Sequence, residues 1–186
     1  MTIRFTLSFF ILVSIQLFIG RFAIAQSTLA LKSGTITFDS NAPQEKIRAE
    51  TNKFSGLLNM EQNSFAFSVD IHSFTGFNSP LQQEHFYENY MQYAIYPRST
   101  FSGKFIDKFD PNAVAQKLRA KGQLDIHGVK KERIIEVSLT KSGSNYFIES
   151  EFNVLLEEHN ISIPKIVYQK IAENINVKVK GEFANN

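Results

Sequence analysis

Ile175-Asn176-Val177-Lys178-Val179-Lys180 alternates apolar and polar residues without a break, and that alternation decides the fold class. A period of two sends Ile175, Val177 and Val179 to one face of an extended chain and Asn176, Lys178 and Lys180 to the other. The same pattern recurs upstream. Phe65, Phe67, Val69 and Ile71 alternate with Ala66, Ser68 and Asp70, and Ile135, Val137 and Leu139 alternate with Glu136, Ser138 and Thr140. Runs of this kind are half-buried antiparallel strands, one face in the core and one in water. Across Lys117 to His127 the inward set is Leu118, Ala120, Gly122, Leu124 and Ile126, and the glycine suits a strand that bends sharply. Turn signals separate the runs at Asn41-Ala42-Pro43, Asp110-Pro111-Asn112, His127-Gly128 and Ser142-Gly143-Ser144-Asn145.

Two stretches depart from the alternation. Behind Ser79-Pro80, the residues Leu81, His85, Phe86 and Tyr90 recur at helical spacing, which predicts a short amphipathic helix over 81–91 with Ser79 as its N-cap. Lys165 to Glu173, after Pro164, holds a weaker helical pattern and reads as a loop with one helical turn. Many short strands with one or two short helices predict an all-β fold, a closed antiparallel barrel of about eight strands.

At the N-terminus, Arg4 precedes an apolar run from Phe5 to Ile19, and Ala23-Ile24-Ala25 supplies a small-residue cleavage site. This predicts a signal peptide over 1–25, leaving 26–186 as one barrel domain exported to the periplasm. The rival reading, a membrane anchor, needs about 20 apolar residues, and Gly20 and Arg21 interrupt the run before that length. Once the leader is removed, no membrane span is expected. Arg4 and Arg21 leave with it, so the 20 basic residues of the whole chain come into balance with its 18 acidic ones. A balanced, mixed surface gives no footprint for nucleic acid. With no cysteine there are neither disulfides nor thiolate metal sites. The chain has 18 Phe and 6 Tyr but no Trp, so rings either fill or line a large apolar interior. No internal repeat or linker divides the chain, and homodimerisation is left open.

Two ordered motifs resemble a known family. Gly122-Gln123-Leu124-Asp125-Ile126-His127-Gly128-Val129-Lys130-Lys131 is similar to the strand-turn-strand signature of the YceI-like family, commonly G-x-L-T-I-H-G-V-T-K. Ahead of it, Glu84-His85-Phe86, Tyr90 and Tyr96-Pro97-Arg98-Ser99-Thr100-Phe101 resemble that family's second conserved segment, and the likeness extends from about Gly34 to Phe183. The chain departs from the pattern where Asp125 and Lys130 replace the usual Thr, and where the Arg of R-D-x-H-L is missing from Leu81-Gln82-Gln83-Glu84-His85-Phe86. The resemblance implies a lipocalin-like barrel that holds a long-chain apolar lipid, such as a polyisoprenoid, in its interior.

Burial of a polyprenyl or fatty chain stabilises by about 0.8 kcal/mol per CH₂, so an elongated lining of rings and aliphatics suits it. The expected ligand-binding residues are Phe65, Phe67, Ile71, Phe74, Phe77, His85, Phe86, Tyr90, Phe101, Leu118 and Leu124. Periodicity alone does not separate a ring that touches ligand from one that fills a solid core. The four histidines His72, His85, His127 and His159 show no metal-ligand spacing, and no nucleophile or phosphate-cradling motif occurs. The expectation is therefore a non-enzymatic carrier or sequestering protein without metal or cofactor. His127 is expected to hydrogen-bond backbone at its turn, and His85 to sit at the barrel mouth. Two alternatives stand beside it: a solid-packed interaction module of the envelope, and, less favoured, an enzyme with a site assembled by His85 and His127.

Overall fold

The structure is a computed structural model that describes residues 28–185; the signal peptide expected over 1–25 lies outside the described residues. Among the described residues nine strands follow one another: β1 (Thr28–Asn41), β2 (Lys46–Thr51), β3 (Phe54–Asn59), β4 (Ser64–Asp70), β5 (Arg98–Phe105), β6 (Ala115–Ile126), β7 (Val129–Ser142), β8 (Asn145–Leu155) and β9 (Asn174–Asn185). Each pairs antiparallel with its neighbours, and β9 returns to β1 to close the sheet.

The barrel has eight staves. β2 and β3 pair with the same edge of β1 in one register, as Ile36↔Thr51 and Thr28↔Asn59 show, so they are a single strand interrupted at Asn52-Lys53. Closure removes the free edges that an open antiparallel sheet would expose.

A bulge in β1 sets which side chains face inward. The register against β9 shifts between Leu31 and Ser33, inserting Lys32. Because side chains alternate, one extra residue reverses every later position. Leu29 and Leu31 point into the core before the bulge, whereas Ile36, Phe38 and Ser40 line the interior after it.

Glycines allow β5 and β6 to approach closely. Gly103 and Gly122 are register partners, and a Cβ on Gly122 would lie 2.3 Å from the Ser102 carbonyl and 3.1 Å from the Phe65 ring. Gly122, expected from sequence to suit a sharp bend, is accounted for here by a close backbone approach.

The two long connections, 71–97 and 156–173, leave the barrel at one end, where β4, β6 and β8 finish. Helix α1 (Pro80–His85) is capped by the Ser79 hydroxyl, which accepts from the Gln82 N–H at 3.2 Å. The expected helix over 81–91 does not stay α-helical. From Phe86 to Tyr90 it widens into a π-turn, with the Met91 N–H donating to the Phe86 carbonyl at 2.9 Å. The second connection contains single helical turns at Leu156–His159 and Lys165–Val167.

At the opposite end Leu29, Leu58, Leu118, Leu139 and Phe183 are buried together and seal the barrel. Across the mouth end, β8 pairs with β7 only up to Val137↔Ser150. Beyond that point side chains replace the backbone ladder. The Ser150 hydroxyl donates to the Glu136 carbonyl at 2.7 Å, the His159 ring bonds the Val129 carbonyl at 3.1 Å, and Arg133 pairs with Glu158. The turn at Leu156–His159 thereby patches the wall where β8 has peeled away.

Candidate functional site

Inside the barrel is a cavity of about 510 Å³ that opens at the mouth end. Its floor is a ring cluster. Phe65 packs against Phe101 at 4.8 Å and Phe105 at 5.2 Å between ring centroids, and Phe67 meets Phe183 edge-on at 5.9 Å. Its upper wall is a second cluster, in which Phe86 stacks on Phe38 at 5.2 Å and touches Phe77 at 5.1 Å, with Phe74 against Phe38 at 5.4 Å. The remaining walls are aliphatic, built from inward positions such as Ile135, Val137, Ile175, Val177 and Val179.

Ten of the eleven expected residues line this cavity: Phe65, Phe67, Ile71, Phe74, Phe77, His85, Phe86, Tyr90, Phe101 and Leu124. Leu118 does not. It has the right alternation phase but sits below the cavity floor, buried with Phe105, Leu139 and Phe183. Phase gives the face of a strand, while depth along the barrel depends on register with strands remote in sequence.

Several lining residues were not anticipated. Ile36 and Phe38 were missed because the bulge reverses their phase; the signal was present as two alternating runs, Leu29-Ala30-Leu31 and Ile36-Thr37-Phe38, that are out of step. Val167 and Ile171 come from the second connection, whose weak helical pattern concealed their inward aim.

Two segments frame the mouth. The first, α1 and its π-turn, contributes Leu81, His85, Phe86, Tyr90 and Met91. It is pinned by Tyr87, whose buried hydroxyl donates to the Phe74 carbonyl and accepts from Gln83 at 2.7 Å. The second, 160–172, contributes Ile161, Val167, Lys170 and Ile171. The β1–β2 turn links the two. The Gln44 N–H donates to the Gln169 carbonyl at 2.9 Å, while the Glu45 carboxylate accepts from Gln82 at 3.0 Å and Asn78 at 3.1 Å.

The two signature motifs meet at the turn between β6 and β7. His127 and Gly128 both have positive φ, +52° and +72°, as a two-residue turn of mirror-image type I requires. Tyr96 lies edge-on to His127 at 4.6 Å, and its ring lies 2.4 Å from where a Cβ on Gly128 would be. His127 does bond backbone, though of a remote segment and not of its own turn, with Nδ1 3.1 Å from the His159 carbonyl; Nε2 lies 3.3 Å from the Gln92 side-chain oxygen. One imidazole thus ties both mouth segments to the barrel. Two of the departures from the family pattern, Asp125 and Lys130, are register partners across this hairpin. Opposite charges there take the place of a facing pair of threonines.

The lining carries few ionisable groups: Glu45, His85, Tyr90 and Lys170, all toward the mouth. Burial raises the Tyr90 phenol above its ordinary value, so it stays protonated. His159 is fully buried behind the wall; burial is the main cause that lowers its pKa, opposed by hydrogen bonding to the Val129 and Ile126 backbone. His85 and His127 do not form one site. His85 faces the cavity mouth, while both ring nitrogens of His127 are engaged outside the lining. Among the described residues, no three His, Asp or Glu side chains are placed to hold a metal ion, and no helix is long and apolar enough to cross a membrane.

Comparison with solved structures finds the same barrel. A polyisoprenoid binding domain from Saccharophagus degradans, implicated in plant cell wall breakdown, superposes with a TM-score of 0.73 at 12% identity, covering 87% of this chain and 99% of that one. BcnA of Burkholderia cenocepacia gives 0.68 at 15% identity over 80% of this chain and 95% of its own. The YCEI protein of Campylobacter jejuni gives 0.58 at 16% identity over 74% and 84%. No curated protein sequence matches significantly. The family model described as the YceI-like domain matches residues 18–183, which contain both motifs and nearly all of the barrel, and the chain belongs to that family.

Proposed function

We propose that this protein is exported to the periplasm and there carries or sequesters a long apolar lipid of polyisoprenoid type inside the barrel. The observation that carries this reading is the cavity: about 510 Å³, lined by rings and aliphatic side chains, sealed at one end and open at the other. Its size is in the range of small-molecule sites, and its scarcity of polar groups suits a ligand that has almost nothing to hydrogen-bond. A barrel packed solid for a purely structural role would leave no such volume. The polyisoprenoid binding domain of Saccharophagus degradans, which shares the fold, supports the same ligand class.

The reading assigns no catalytic step, metal or cofactor. The ionisable lining groups are spread around the mouth, and Glu45 is already engaged by two amides. The ten cavity-lining residues expected from sequence are the proposed contacts, and Phe38, Val167 and Ile171 join them. Native mass spectrometry of the protein purified from its own host tests the proposal. A co-purifying lipid of isoprenoid or fatty mass is the expected result, and protein that is ligand-free and also fails to take up polyprenol overturns it.

A further inference from the structure

The rim of the mouth is apolar on its outward side as well as its inward side. In the segment 160–172, Val167 and Ile171 turn into the cavity, whereas Ile166 and Tyr168 turn out and stand 91% and 61% exposed. Across the opening, Leu81 on α1 is 59% exposed and also contributes to the lining. The interior lining therefore continues over the lip into an exposed apolar rim on both banks. Isolated exposed aliphatics are ordinary, but here three apolar side chains gather around the entrance to an apolar cavity.

Charge and residue type point to what covers this rim. From Asn160 to Ala172 the chain has no acidic residue, yet it holds Lys165 and Lys170 on either side of Ile166 and Tyr168. Neither lysine makes an ion pair among the described residues. A short segment that presents an aliphatic tip and an aromatic hydroxyl between unpaired lysines matches the membrane interface. There the aliphatic enters the acyl boundary, Tyr sits at headgroup level, and Lys meets anionic phosphate. A protein partner would require a larger continuous apolar surface than these three residues supply.

We infer that the mouth end docks on an anionic bilayer through Ile166, Tyr168 and Leu81, placing the open cavity against the membrane. This rests on the carrier reading, because it gives an insoluble chain a route from bilayer to barrel without crossing water. Held between the pins at His159 and Gln169, the 160–172 segment is both a cavity wall, through Val167 and Ile171, and the docking tip, through Ile166 and Tyr168, so docking and ligand entry involve the same segment.

Vesicle co-flotation of the full chain tests the inference, using phosphatidylcholine vesicles with and without phosphatidylglycerol, beside solution binding of a fluorescent farnesyl probe. The wild type is expected to float with vesicles, more so with phosphatidylglycerol. I166S/Y168S should lose vesicle binding by about tenfold while keeping its melting temperature and its affinity for the soluble probe. In a second measurement, Ile166→Trp supplies the chain's only tryptophan, whose emission should shift to the blue on vesicles. If I166S/Y168S floats as well as the wild type, as it would were the N-terminal apolar run the anchor, the inference is overturned. The same holds if the tryptophan emission of the Ile166→Trp variant does not move. Probe binding without vesicle binding removes docking but leaves the carrier reading standing; vesicle binding without probe binding does the reverse.

Discussion

The imidazole of His127 and the main-chain carbonyl of His159, 32 residues apart, are joined by a 3.1 Å hydrogen bond across the barrel rim. Since the same ring also reaches Gln92, its loss removes one tie between each mouth segment and the β6–β7 turn.

His127→Ala is therefore expected to destabilise the fold by about 1–2 kcal/mol in denaturant unfolding, the scale of two hydrogen bonds of which one is partly buried. Gly128→Ala should cost at least as much, because φ of +72° is unfavourable for alanine and the new methyl would run into Tyr96. A Gly128→Ala variant as stable as the wild type would show that Tyr96 does not pack on the turn.

Stability should fall with acid through His159. Its folded-state pKa is lowered, chiefly by burial, whereas the unfolded side chain titrates near 6.5. The unfolded chain thus binds a proton that the folded one resists. The contribution of the neutral ring is complete above pH 6.5, declines as pH drops below it, and stops changing once the folded-state pKa is passed. Unfolding measured from about pH 8 down to about pH 5 should show this slope in the wild type and a shallower one in His159→Gln.

Phe86→Ala removes a ring that lines the cavity and stacks on Phe38. Affinity for a polyprenyl probe should weaken by about 1–3 kcal/mol. Lys178→Ala, on the outer face and paired with Glu151, should leave affinity unchanged. Should Phe86→Ala lose several kcal/mol of stability while its folded fraction binds the probe as before, Phe86 is core packing and not a ligand contact.

Leu118→Ala gives the opposite split. Below the cavity floor it is expected to cost about 2–5 kcal/mol of stability through a cavity that only partly collapses, with probe affinity per folded molecule largely retained. Equal losses of affinity and stability would show that the floor is not sealed.

Intact-mass analysis of protein recovered from the host periplasm should give a chain beginning at Gln26, consistent with cleavage after Ala25. A full-length mass in the membrane fraction would replace the signal peptide with an anchor.

Much of this was legible in sequence because antiparallel strands with one wet face record their orientation as a period of two. The alternation in 65–71, 118–126, 135–139 and 175–179 was enough to give an all-β class and the inward face of β4, β6, β7 and β9, and the two motifs were enough to give the family. Local chemistry was equally direct at Ser79, which caps α1, and at His127-Gly128, whose positive φ values close a hairpin. What tertiary structure alone decided was depth and emptiness. Phe65 and Leu118 share one pattern, yet one borders the cavity and the other lies beneath its floor, because their levels are set by pairing with strands far away in the chain. Whether facing rings meet or leave a gap depends on where strands diverge and on two glycines that pull β5 against β6; period-two apolarity takes the same form in a filled barrel and a hollow one.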